Sequence, residues 1–181
     1  MAPLPEHERS KILLADLVKA LLKAQKRRWE PLGSTTFKRE AMAVVIEPDE
    51  CFYIQNYQAV IGKERLDLNV DPPPDLAIET DVTSKTSVNA YVALGVPELW
   101  IYEGGKLKIN VLRASEYVMS ENSTIFPDFA VAEIIPRFMR RAREVGVSQA
   151  LSEFEAFINL TQTPGAKVQQ PKFPSREIVL G

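Results

Sequence analysis

The sequence holds one cysteine and one histidine, Cys51 and His7, in 181 residues. A lone cysteine excludes an internal disulfide and leads us to expect a reducing, cytoplasmic setting. A lone histidine argues against a structural zinc site and against most histidine-based catalysis. No apolar run approaches the ~20 residues of a membrane span. The start, "MAPLPEHERSK", has no basic segment followed by an apolar one, so neither a secretory signal nor a membrane partner is expected. An excess of one charge is also missing: 22 Lys and Arg face 24 Asp and Glu. That balance does not announce a nucleic-acid binder, yet acids gathered around a metal and basic residues kept in patches also sum to almost nothing. Carboxylates and hydroxyls remain as the chemistry on offer.

The length suits one domain, expected over 1–160, followed by a Pro/Gln-rich tail over 161–181 that is loose or packed as an arm. Leu13, Leu14, Leu17, Val18, Leu21 and Leu22 recur at helical spacing and predict a helix over 5–26, closed by the basic run Lys23, Lys26, Arg27, Arg28. "STTFKRE" and "ECFYIQ" read as strands, and "AMAVVIEP" between them as strand or helix. After the stop "DPPPD", "LAIETDV" restarts as a strand buried on both faces. A helix capped by Thr83 or Ser84 follows and ends at Gly95. "ELWIYEG" and "KLKINVL" pair across Gly104-Gly105, and "EYVMSENSTIFPDF" reads as extended and exposed. Two last helices are expected, one opening at Pro136 and ending at Gly146, the other over 148–158. The order of elements gives an α/β protein with a mixed sheet crossed by a helix.

Alternation puts Asp75, Glu79 and Asp81 on one side of the strand that follows the prolines. Such carboxylates repel one another unless a cation sits among them or water reaches them. Asp49 begins the preceding apolar segment, so pairing of the two strands brings Asp49 and Glu79 together around one hard divalent ion, Mg²⁺ or Mn²⁺. Lys85 then orients an attacking water or stabilises a phosphate. Each residue also has a structural reading: Asp75 as a turn or capping residue, Lys85 as an exposed first-turn residue, and His7 as a surface residue, with Glu6 or Glu8 reaching the site if the first helix packs beside it. Arg137, Arg140, Arg141 and Arg143 offer a backbone-binding face, or else a solvated one.

"EPDECFYIQ", "PPPDLAIETDVTS", "YVALGVPELWIYEGGKLKI" and "STIFPDF", in that order, resemble the Uma-type endonuclease family. That family is a branch of the restriction-endonuclease-like PD-(D/E)xK superfamily. The resemblance covers roughly residues 5–160 and implies an αβββαβ core, a divalent metal and hydrolysis of nucleic-acid phosphodiesters, with DNA the expected substrate. It matches Asp49 to the aspartate of the first PD element, Glu79 to the glutamate of the third core strand, and Asp75 to the second PD element. One departure stands out: Asp81 occupies the place of the motif lysine, and Lys85, six residues before Tyr91, is the nearest lysine. The rival reading is a catalytically degenerate nuclease-like domain that binds nucleic acid or a protein partner. Cutting both strands of a duplex would call for two sites and hence a homodimer. A small-molecule hydrolase built on serine or Cys51 lacks both a G-x-S-x-G element and a placed histidine.

Overall fold

The computed structural model describes residues 5–39, 44–80 and 85–161. Helix α1 (Pro5–Ala24) buries the predicted leucine stripe. It stops because Lys26 turns into the left-handed region at φ 56°, letting Arg27 N–H reach Leu22 O and Lys26 N–H reach Lys23 O, both at 3.0 Å. Glycine normally takes that position.

The strands are β1 (Glu30–Pro31), β2 (Phe37–Arg39), β3 (Val44–Ile46), β4 (Glu50–Tyr53) and β5 (Leu76–Thr80). Helix α2 (Lys85–Leu94) leads to β6 (Glu98–Glu103), β7 (Lys106–Arg113) and β8 (Glu116–Ser120), and helices α3 (Val131–Val145) and α4 (Val147–Thr161) follow. The main sheet runs β1-β4-β5-β6-β7-β8, with β2 and β3 as a separate antiparallel pair. Among the described residues, only β5 and β6 pair in parallel, as the α2 crossover between them requires. The succession α1, β1, β4, β5, α2, β6 is the expected αβββαβ core, and helices flank a mixed sheet.

Alternation along β5 divides the interior in two. Leu76 and Ile78 join α1, α3 and α4 in one core, while Ala77 joins Tyr91, Leu94, Phe37 and Ile46 on the other face. Glu79 therefore belongs to the α2 side and Thr80 to the α1 side. A buried carboxylate, Glu98, ties the chain after β8 to the sheet. Its oxygens accept from Trp100 Nε1 (2.6 Å), Ser123 Oγ (2.6 Å), Thr124 N–H (2.8 Å) and Thr124 Oγ1 (2.6 Å).

Several boundaries differ from the sequence reading. The segment at 116–120 is extended and exposed, but it is also a paired edge strand, reached through a turn in which Ala114 takes φ 53°. Helix α3 begins at Val131 rather than Pro136. Burial of Val131, Ile134, Ile135, Phe138 and Met139 outweighs the amide that Pro136 cannot donate to Ala132 O. "AMAVVIEP" yields strand at 44–46, while 40–43 lie outside the described residues. Asp81, the caps Thr83 and Ser84, and residues 162–181 also lie outside them; Thr161 closes α4.

Candidate active site

Antiparallel pairing sets Glu50 opposite Ile78, so the next step along the strands brings Asp49 beside Glu79. Asp49 Oδ2 accepts from the Thr80 N–H (2.7 Å) and the Thr80 hydroxyl (2.5 Å). With its own hydrogen donated to Asp49, Thr80 Oγ1 accepts from His7 Nε2–H at 2.8 Å. His7 Nε2 also lies 3.8 Å from Asp49 Oδ2, and its Nδ1 is buried without a hydrogen-bond partner. Lys11 Nζ stands 3.6 Å from Asp49 Oδ1.

Glu79 is partly buried, and its Oε1 accepts a hydrogen bond from the Tyr91 hydroxyl of α2. Burial pushes the Glu79 carboxyl above the usual range. Tyr91 opposes that shift, the Asp49 charge adds to it, and the Asp49 amide and Lys11 oppose it more weakly. Glu50 is raised by burial as well, against the nearby charges of Lys19 and Lys11. The charge of Lys11 thus acts on both carboxylates, with Lys19 acting more strongly at Glu50.

Asp75 stands elsewhere. It lies four steps of extended chain from Glu79, roughly 13 Å. Its Oδ2 accepts from the amides of Ile54 (2.6 Å), Gln55 (2.9 Å) and Asn56 (3.3 Å), and its Oδ1 from Asn56 Nδ2 (3.3 Å). Asp75 caps the chain as it leaves β4, just as Asp49 caps the end of β5. Lys85 opens α2, and its side chain lies outside what the structure describes.

Helix α1 does pack beside the site, but His7 and Lys11 reach it rather than Glu6 or Glu8. A signal for this exists in the sequence: His7, Lys11, Leu14 and Val18 continue one helical stripe whose later members are buried. Lys11 is 17% exposed while its apolar neighbour Ile12 is 55% exposed. The late arginines separate. Arg141 is held by Glu153 (2.8 Å) and Glu144 (3.0 Å), Arg143 pairs with Glu6 at 2.6 Å, and Arg137 lies over Phe138 and Phe157. Arg143 and Arg9 line a cavity of about 300 Å³ between α1 and α3. Burial pushes the Cys51 thiol up to about 12, which leaves it protonated and unsuited to act as a nucleophile.

The donors at Asp49 and Glu79 are hard oxygens. Among the described residues no three His, Cys, Asp or Glu side chains gather to hold an ion. Two carboxylates suit Mg²⁺, which keeps several waters and shares its coordination with substrate phosphates.

Residues 1–139 match the family model described as "Uma2: Putative restriction endonuclease". The chain belongs to this family. Comparison with curated proteins finds no match. The fold of this Uma2 chain is similar to a solved structure, "a putative nuclease belonging to DUF820" from Anabaena variabilis. The TM-score is 0.50 at 13% identity, over 83% of this chain and 84% of that one. Among the described residues, no helix is long and apolar enough to cross a membrane.

Proposed function

We propose that this Uma2 chain is a divalent-metal-dependent endonuclease that hydrolyses DNA phosphodiesters, with Mg²⁺ or Mn²⁺ held by Asp49 and Glu79. The observation that carries this reading is the convergence of those two carboxylates across the β4–β5 pair, where burial and mutual repulsion work against both being charged. A bound divalent ion would supply Lewis-acid activation of water and charge stabilisation at phosphorus. The protein's own part is positional: Tyr91 and the Asp49 amide orient Glu79, and Thr80 and His7 orient Asp49. Asp75 acts as the cap of the 54–56 turn rather than as a metal ligand. Residues 1–160 form the nuclease domain; it works in the cytoplasm, and a homodimer supplies the second site for duplex cutting.

The test is calorimetric titration of Mg²⁺ and Mn²⁺ into the wild type and Glu79→Ala, with plasmid nicking scored in the same samples. Metal binding and nicking in the wild type, both lost in the variant, are expected. Asp81 in the place of the motif lysine favours a second reading, a degenerate domain that binds nucleic acid without cutting it. Salt-dependent DNA binding with neither metal binding nor nicking is its signature.

A further inference from the structure

Resting on the endonuclease reading, we propose that the lysine of the site is Lys11, delivered from α1, and that its ammonium contacts the scissile phosphate. Three observations converge on it. Lys11 Nζ lies 3.6 Å from Asp49 Oδ1, although 38 residues of sequence part them. Its side chain is only 17% exposed, whereas Ile12 beside it faces solvent, so the helix turns a cation inward at the expense of an apolar residue. Lys19, a second ammonium on α1, is held by Asp16 at 3.1 Å, whereas Lys11 stands beside Asp49.

An ammonium spent only on neutralising Asp49 would close to hydrogen-bond distance. Lys11 instead stands 3.6 Å away, looser than a charge-assisted hydrogen bond. Its donors are thus available for a phosphate oxygen. In the reaction, water adds to phosphorus and the P–O bond to the departing nucleoside breaks. The attacking water loses a proton to solvent, and the departing oxygen takes one from solvent. Lys11 keeps its protons throughout and stabilises the charge growing on the non-bridging oxygens.

The experiment compares the full-length wild type with Lys11→Met, Lys85→Met and Glu79→Ala, scoring Mn²⁺-dependent plasmid nicking and Mn²⁺ affinity by calorimetry. Lys11→Met is expected to lower nicking by about 100-fold, more than Lys85→Met does, while Mn²⁺ binds as tightly as before or more tightly, since a nearby cation is gone. Nicking that survives in Lys11→Met but is lost in Glu79→Ala overturns this proposal and leaves the endonuclease reading standing. So does a loss of nicking accompanied by weakened Mn²⁺ binding, because Lys11 would then only hold Asp49 in place. A wild type that never nicks overturns the endonuclease reading and the role of Lys11 with it.

Discussion

The Tyr91 hydroxyl, carried on α2, donates its hydrogen to Glu79 Oε1 on β5. Tyr91 itself is fully buried, so its donor has a fixed direction. A partly buried carboxyl already raised by burial depends on that donor for its ionised form. Tyr91→Phe should raise the Glu79 midpoint further and cost about 1 kcal/mol of stability at neutral pH. Carbon-detected NMR titration of the metal-free protein reads the midpoint, and an unmoved value would show that the hydroxyl bonds elsewhere. The sign of the pH effect follows from the raised folded value. Stability from Glu79 is complete below its unfolded pKa and is lost as pH rises through the folded one. Glu79→Gln should therefore gain on the wild type between acid and neutral pH.

Asp75→Ala should cost about 2 kcal/mol, because the buried amide of Ile54 loses its acceptor together with the more exposed amides of Gln55 and Asn56. Urea denaturation measures the loss. A stable variant whose only defect is weaker Mn²⁺ binding would instead make Asp75 a ligand.

Helices α1 and α2 end in the same motif with different residues. At the end of α2, Gly95 takes φ 77°, with Val96 N–H bonded to Tyr91 O at 3.2 Å. At the end of α1 the equivalent residue is Lys26. Lys26→Gly should stabilise the protein by about 0.5–1 kcal/mol, since relief of left-handed strain exceeds the added chain entropy. Gly95→Ala should destabilise it by a similar amount through backbone strain alone, as open space surrounds the position. Thermal unfolding of both variants checks the pair.

Arg141 holds the Glu153 carboxyl below the usual range and links α3 to α4. A depressed carboxylate gives stability above its unfolded pKa, and that stability is lost as pH falls through the folded one. Glu153→Gln should lower Tm at about pH 7 and have a smaller effect at about pH 3, below the unfolded pKa. Equal losses at both would assign the contribution to packing.

Local signals in the sequence carried the frame of the fold. Helical periodicity marked α1, Gly95 marked the end of α2, and Gly104-Gly105, with φ of 57° and 74°, marked the hairpin. The sequence was silent where distant partners decide. Strand β8 alternates too weakly to announce its pairing, and Pro136 resembles a helix start until the apolar residues before it are seen packed. At the site, strand alternation was enough to bring Asp49 toward Glu79. His7 and Lys11 were not legible in the same way, because only the packing of α1 across the end of β5 carries them there.

Asp49 and Asp75 occupy matching places, each preceding one strand and binding the end of the other, yet the two attachments differ in kind. Three of the four donors at Asp75 are main-chain amides, which cannot swing away without unfolding the turn. Around Asp49, one amide is joined by a hydroxyl, with the His7 imidazole at 3.8 Å and the Lys11 ammonium at 3.6 Å beyond hydrogen-bond length, all three on side chains that can rotate. The same device, used twice, gives one permanent fastening and one exchangeable fastening. Only the exchangeable carboxylate can be lent to a ligand while the sheet keeps its register.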